Sequence, residues 1–125
     1  MKKTLIGIPR DSHILIVEDD VNRQRYFGRI LKDCLHLYVF IDAPTCIKLL
    51  QEKDYWDIMF IDHDLGALAN GCGRDVSKFL ADNVVPITSI VIHSHNYVAA
   101  REMAADLHEY NVSVLPFGTF EIEVL

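Results

Sequence analysis

Short apolar runs recur along the chain and alternate with stretches whose apolar residues have helical spacing. The runs lie at residues 13–17, 37–41, 57–61, 89–92 and 112–115. The first run shows no alternation of apolar and polar positions, which is typical of a strand buried on both faces of a parallel sheet. We therefore predict five strands at these positions.

Apolar residues between the runs recur at intervals of three and four, the period of a helix with one buried face. The predicted inner faces comprise Phe27, Ile30, Leu31 and Cys34; Ile47, Leu49 and Leu50; Val76, Phe79 and Leu80; and Ala99, Met103 and Leu107. Asp42 is suited to cap the second of these helices. Alternating strands and helices indicate βαβ units, so we predict an α/β fold with a doubly wound, five-stranded parallel sheet.

Residues 120–124 have a different pattern. Phe120, Ile122 and Val124 alternate with two glutamates, the period of a half-exposed strand. A strand edge with an apolar face attracts pairing partners. We expect this segment to extend the sheet or to pair with another chain and form a homodimer, the alternative being a frayed chain end.

Length and charge limit the class of protein. A chain of 125 residues supports one domain with one core, spanning residues 1–125. Eighteen acidic against twelve basic residues give a net charge of −6, so we expect no nucleic-acid binding, which needs clustered Lys and Arg. An acidic surface does not exclude a phosphate ligand held through a metal ion.

Targeting signals and cysteine usage point to one compartment. We find no apolar stretch long enough for a signal peptide or a membrane span, and expect no membrane binding. Cys34, Cys46 and Cys72 are odd in number and widely spaced. This favours reduced thiols in a cytoplasmic protein.

Polar residues cluster where the predicted strands end. After the first, third and fourth strands come Asp19 and Asp20; Asp62, His63 and Asp64; and His93, Ser94, His95 and Asn96. In open α/β sheets, ligands bind at the carboxyl ends of the strands. We therefore expect these three clusters to converge on one site.

The carboxylates of this site suit a metal ion. Asp19, Asp20 and Asp62 would repel one another in a partly buried site. A hard divalent cation with oxygen ligands removes this repulsion, so we predict that these residues bind Mg²⁺ (or Mn²⁺). The alternative for Asp19 or Asp20 is a structural role as the cap of the first helix.

Other polar side chains are candidates for contact with a phosphoester. His63 and His95 titrate near neutrality and are suited to act as acid and base. His93 continues an apolar strand and is either a buried, hydrogen-bonded residue or a substrate ligand. Asn96 is suited to cap a helix whose free N–H groups favour a phosphate oxygen. Arg74 follows a Gly-x-Gly turn that matches no phosphate-loop fingerprint, and is either solvated or a substrate-binding residue.

Residues 13 to 117 resemble the receiver domain of two-component response regulators. The resemblance is carried by the acidic pair after the first strand, Asp62, Ser94, and Pro116-Phe117 after the fifth strand. It implies a flavodoxin-like sheet of order 2-1-3-4-5. It also implies that Asp19 and Asp20 bind metal with the backbone carbonyl of Asp64, that Asp62 is phosphorylated, and that Ser94 senses the phosphoryl group.

Two features depart from the receiver pattern. Receivers carry a lysine just before the last proline, where this chain has Leu115. They also end in a fifth helix, for which residues 118–125 are too short. Both departures speak against the usual phosphorylation switch.

A subgroup of receivers fits the chain better. Residues 62–66 (Asp-His-Asp-Leu-Gly) and 93–96 (His-Ser-His-Asn), followed by a helix with Ala100 and Met103, are similar to the cyclic-phosphate-processing receiver domains. That resemblance implies an enzyme that opens or handles a cyclic phosphate on a nucleotide derivative. Together with the predicted metal site, it leads us to expect metal-dependent hydrolysis of a small cyclic phosphate. His95 would activate water and His63 would protonate the leaving oxygen, while Ser94 and Asn96 would orient this small phosphorylated ligand.

Two alternatives remain open. In the first, a histidine kinase phosphorylates Asp62 and the domain switches partners. In the second, the domain is a non-catalytic interaction module that keeps its acidic residues without their chemistry.

Overall fold

Strands and helices alternate through most of the chain, as the apolar pattern predicts. The computed structural model describes residues 2–125. Its strands are β1 (Thr4–Ile8), β2 (His13–Val17), β3 (His36–Phe40), β4 (Trp56–Ile61), β5 (Ile87–Ile92), β6 (Val112–Val114) and β7 (Phe120–Val124). Its helices are α1 (Val21–Ile30), α2 (Ala43–Glu52), α3 (Gly73–Asp82) and α4 (Tyr97–Asp106), with a short 3-10 helix at Leu68–Asn70. The five predicted strands are confirmed to within two residues at either end.

The main sheet is parallel and has the order β3-β2-β4-β5-β6. Numbered among the five predicted strands, this is the order 2-1-3-4-5, so the predicted α/β topology is confirmed. Successive residues of β2 are buried on opposite faces: Leu15 packs under α2, α3 and α4, and Ile16 packs toward α1. Burial on both faces explains why the strands lack polar alternation.

The capping residues explain where the helices begin. The side chains of Asp20, Asp42 and Asn96 accept hydrogen bonds from backbone N–H groups in the first turns of α1, α2 and α4. The capping roles predicted for Asp42 and Asn96 are confirmed. Within residues 2–125, each α-helix has ten residues, and none is long and apolar enough to cross a membrane.

Strand β7 pairs with β1 in a separate two-stranded parallel sheet, with Ile6 opposite Ile122. The prediction of a strand at residues 120–124 is confirmed, but the prediction that it extends the main sheet is wrong. The chain turns from β6 into β7, where receivers would have a fifth helix, and β7 lies on the α1 face of the main sheet. The partner of β7 lies within the chain, while homodimer formation stays a prediction.

The apolar side of β7 is part of the core. Phe120 is 3 % exposed, and its ring stacks 5.8 Å from that of Phe60 in β4. Ile122 is also buried, whereas Glu121 and Glu123 are exposed. The two-stranded sheet therefore covers the core face that a last helix would otherwise cover.

We predict that Phe120→Ala destabilises the protein by about 3–5 kcal/mol, because it leaves a cavity against Phe60. Glu121→Ala, at the neighbouring exposed position, should change stability by about 0.5 kcal/mol or less. Urea denaturation of both variants measures the difference. Equal stabilities would show that β7 is only loosely attached to the core.

Candidate functional site

The register of three strands creates the site. Val17 in β2 lies opposite Ile61 in β4, and Ile61 lies opposite Ile92 in β5. The next residue of each strand therefore lies next to its counterparts at the carboxyl edge of the sheet. These residues are Glu18, Asp62 and His93.

The strand period decides which side chains meet. Side chains two residues apart in a strand share a face. Glu18 lies two residues after Ile16, Asp62 two residues after Phe60 and His93 two residues after Val91. These three apolar residues all belong to the core on the α1 face. Glu18, Asp62 and His93 thus point to the same side of the sheet.

Glu18 is a site residue that the sequence analysis missed. Its side chain is 0 % exposed, and its Oε1 lies 2.8 Å from His93 Nε2. Its Oε2 accepts a hydrogen bond from the backbone N–H of Asp20 at 3.1 Å. Continuing the alternation of side chains two residues beyond Ile16 would have found it, whereas considering only the aspartates after the strand did not.

The two aspartates after Glu18 have different surroundings. The exposed Asp20 caps α1, because its side chain accepts a hydrogen bond from Arg23 N at 3.0 Å. The geometry therefore shows the capping role that was the alternative to metal binding. Asp19 lies against Gly66, where a Cβ would come within 2.6 Å of Asp19 Oδ2. Gly66 also has a φ of +77°, so glycine is needed there for both backbone and space.

Burial and neighbouring charges shift the pKa values of Asp62, Asp19 and Glu18. Burial, together with the charge of Glu18, raises the pKa of Asp62, although His93, the His63 amide and the Ser94 hydroxyl oppose the rise. Burial and the charges of Glu18 and Asp62 raise the pKa of Asp19. Burial also acts to raise the pKa of Glu18, but its hydrogen bond and charge interaction with His93 bring it below the ordinary value.

The donor set fits a divalent cation. Ligand atoms of Glu18, Asp62 and His93 lie within 4.8 Å of one another. Asp19 is close enough for its pKa to be raised by two of these neighbours. Carboxylate oxygens suit Mg²⁺ and Mn²⁺, and an added imidazole suits transition metals better than Mg²⁺. The metal-ligand roles of Asp19, Asp20, Asp62 and Asp64 stay predictions.

The loop after β4 positions His63. Its backbone N–H donates to Asp62 Oδ1 at 2.8 Å, and its Nδ1 lies 2.9 Å from Asp64 Oδ1. The His63 carbonyl accepts from Gly73 N at 2.8 Å, and a Cβ on Gly73 would clash with the Asp62 carbonyl oxygen. Any larger residue at position 73 would therefore push α3 away from the site.

The segment after β5 contains two buried candidates, His93 and Ser94, and two exposed ones, His95 and Asn96. Ser94 is buried, and its Oγ accepts a hydrogen bond from Asn96 N at 3.0 Å. Asn96 caps α4 with its side chain, as its structural alternative predicted. His95 is exposed beside them. The catalytic and substrate-binding roles predicted for these residues stay predictions.

The arginine at the site is one that the sequence analysis did not select. Arg74 pairs with Asp106 at 3.2 Å and with Glu102, both on α4, so its guanidinium is engaged there and its predicted role in substrate binding stays untested. Arg23 Nη1 instead lies 3.4 Å from Asp62 Oδ2 and 3.5 Å from Glu18 Oε1. No local pattern distinguishes Arg23 from a solvated helix residue.

Comparison with known families agrees with this geometry. The family model of the cyclic-phosphate processing receiver domain matches residues 14–109, most of the chain. The chain belongs to this family. The resemblance inferred from the motifs at residues 62–66 and 93–96 is therefore confirmed.

Solved structures of receiver domains have the same fold as this chain. It is similar to the receiver domain of a putative LuxO repressor protein from Vibrio parahaemolyticus, with a TM-score of 0.63 and 18 % identity over 92 % of this chain and 80 % of that one. It is also similar to the Mn²⁺-bound response regulator Rcp1, with a TM-score of 0.59 and 21 % identity over 83 % of this chain and 80 % of that one. These likenesses show the fold alone. A search of curated proteins found no match.

We predict that Asp62→Asn raises the melting temperature of the metal-free protein at pH 7 by about 3 °C, equivalent to about 1 kcal/mol. Burial and Glu18 raise the pKa of Asp62 in the folded state, so its ionised form opposes folding. The stability that protonation contributes is fully present below the unfolded-state pKa and is lost as pH rises through the raised folded-state pKa. The advantage of Asp62→Asn should therefore shrink as the pH is lowered through that range.

Thermal melts of wild type and variant across pH measure this difference. Asp54→Asn, at an exposed position remote from the site, is the matched control and should melt like the wild type. A lower melting temperature for Asp62→Asn would show that Arg23 and His93 more than offset the repulsion.

Proposed function

We propose that the protein is an enzyme that hydrolyses a small cyclic phosphate, derived from a nucleotide, with the help of Mg²⁺ or Mn²⁺. The observation that carries this proposal is the convergence of buried carboxylates, two histidine-bearing loops and a helix N-terminus at one edge of the sheet. Membership of the cyclic-phosphate processing receiver family supports the substrate class.

Glu18, Asp19 and Asp62 are the side chains that would hold the cation. The carbonyl of Asp64 is a further candidate, and Asp20 would contribute only if it left its capping position. One structural neighbour, the response regulator Rcp1, was solved in its Mn²⁺-bound form, which supports metal binding on this fold. When bound, a divalent cation offsets the negative charge that develops on phosphoryl oxygens.

His63 and His95 are the acid–base pair of the proposal. Hydrolysis adds one water across a P–O bond of the cyclic phosphate. His95 takes a proton from the water as its oxygen bonds to phosphorus, and His63 donates a proton to the ring oxygen as the old P–O bond breaks. Asp64 engages Nδ1 of His63, which leaves Nε2 for the proton transfer.

Ser94 and Asn96 would orient the phosphate beside these histidines. The Ser94 hydroxyl lies at the end of β5 next to Asp62, and Asn96 begins α4. The N–H groups of a helix start favour negatively charged oxygens. A phosphate in this position would lie between the carboxylate cluster and the first turn of α4.

Phosphorylation of Asp62 by a histidine kinase is a weaker second candidate. Asp62 has the position expected of a phosphorylated aspartate, but Leu115 packs into the α1-face core where receivers have a lysine. Strand β7 also takes the place of the last helix. Both features remove parts that the usual switch needs, and a non-catalytic interaction module is the remaining alternative.

We predict turnover when the protein with Mg²⁺ or Mn²⁺ is incubated with a panel of cyclic nucleotide phosphates, followed by chromatography of the products. Chelation with EDTA should abolish it, and Asp62→Ala should fail to bind Mn²⁺ in calorimetry. Incubation with acetyl phosphate and mass spectrometry tests the second candidate. A stable aspartyl phosphate without turnover would favour signalling. The absence of both turnover and aspartyl phosphate would favour the interaction module.

We predict that His95→Ala slows turnover by roughly 10²- to 10⁴-fold, because it removes the base. Since His95 is exposed, the same change should alter stability by about 0.5 kcal/mol or less. His93→Ala should instead cost about 3–5 kcal/mol of stability, because it leaves Glu18 buried without its partner at 2.8 Å.

Melting curves and turnover of both variants separate chemistry from packing. His108→Ala changes another exposed histidine, distant in sequence from the site, and is the control for loss of an imidazole. If His95→Ala retained full turnover, another group would have to activate the water.

A further inference from the structure

We propose that Arg23 binds a phosphoryl oxygen of the substrate, a role that rests on the proposed function. Its side chain extends from the first turn of α1 to the carboxylate cluster and is 25 % exposed, between buried Asp62 and solvent. Among the ion pairs of residues 2–125, those of Arg23 are the ones that bring a lysine or arginine to this cluster.

The charge balance of the site requires such a group. Glu18, Asp19 and Asp62 together carry three negative charges when ionised, and a divalent cation supplies two positive charges. Even with a protonated His93 beside Glu18, the cluster with its cation would have no net positive charge to attract an anionic cyclic phosphate. The guanidinium of Arg23 supplies the missing positive charge at the place where the substrate must approach.

The contacts of Arg23 leave it able to bind a further anion. Its distances of 3.4 and 3.5 Å to Asp62 and Glu18 are longer than the 2.7–2.9 Å of a tight, charge-assisted hydrogen bond. Both contacts use Nη1, whereas a guanidinium has five N–H donors arranged in a plane. The other donors match the geometry of phosphate oxygens.

Two anchors hold the guanidinium in place. The backbone N–H of Arg23 donates to the capping Asp20, which fixes the first turn of α1. The guanidinium carbon lies 5.1 Å from the ring centroid of Phe117, and Phe117 N donates to the His93 carbonyl at 2.9 Å. Arg23 is thus positioned by both the β2 and the β5 ends of the site, which limits the entropy lost on binding a phosphate.

The test uses calorimetry on the full chain with two probes, Mn²⁺ alone and 2′,3′-cyclic AMP added with saturating Mn²⁺. Under conditions that slow turnover, Arg23→Gln should weaken binding of the cyclic nucleotide at least tenfold. The same variant should bind Mn²⁺ as tightly as the wild type or more tightly, because a positive charge has left the carboxylates. Arg23→Lys should recover part of the nucleotide affinity.

Arg25→Gln is the matched control, since Arg25 lies exposed on the same helix. It should leave both affinities unchanged. Nucleotide affinity within twofold of wild type in Arg23→Gln would overturn the inference while leaving the proposed function in place. A parallel loss of Mn²⁺ affinity, nucleotide affinity and melting temperature would also overturn it, because Arg23 would then only support the carboxylates. Wild-type protein that binds Mn²⁺ but no cyclic phosphate from the assay panel would overturn the inference and the proposed function together.

Discussion

The parallel register of β2, β4 and β5 brings ionisable side chains into contact at one edge of the sheet. The other residues of the site compensate for the charges that this register brings together. Glu18, Asp62 and His93 each follow a buried apolar residue on the same face, so none of them can turn to solvent without disturbing the strand. Burying carboxylates together costs free energy unless partners are close. His93 and Ser94, at the end of β5, and Arg23, in α1, supply those partners.

The two-stranded sheet of β1 and β7 supports the site by packing on the α1 face of the main sheet. Phe120 packs on Phe60, and Phe117, just before β7, contacts the rings of Tyr26 and Phe27 in α1. These contacts hold α1, and with it Arg23, against the α1 face of the main sheet. Receivers would use a last helix for this purpose, whereas here a strand pair formed by the two ends of the described chain provides the cover.

Partial compensation is what makes the site suited to function. Burial, together with the charges of neighbouring carboxylates, raises the pKa values of Asp19 and Asp62, so the protein itself compensates their ionised forms only in part. A divalent cation could relieve part of the repulsion among these carboxylates. A perfectly neutralised cluster would be more stable, but it would have less affinity for a cation.

The sequence by itself determined the α/β class, the five main strands and the edge where polar residues gather, because these depend on local periodicity. Runs such as residues 13–17 have one dominant interpretation, and Asp42 and Asn96 cap the helices that they precede. The resemblance to the family rested on equally local motifs at residues 62–66 and 93–96, and the family model that matches residues 14–109 confirms it.

Tertiary structure decided which acidic side chains meet, which arginine contacts them and where the last strand pairs. Glu18 rather than Asp20 enters the buried cluster, because pairing with β3 continues through Glu18, whereas the chain turns into α1 at Asp20, which caps that helix. Arg23 reaches the cluster only once α1 is docked, and a helix residue's own neighbours do not reveal that contact. Pairing of β1 with β7 joins residues more than a hundred positions apart, and such pairing depends on the packing of the whole chain rather than on any local pattern.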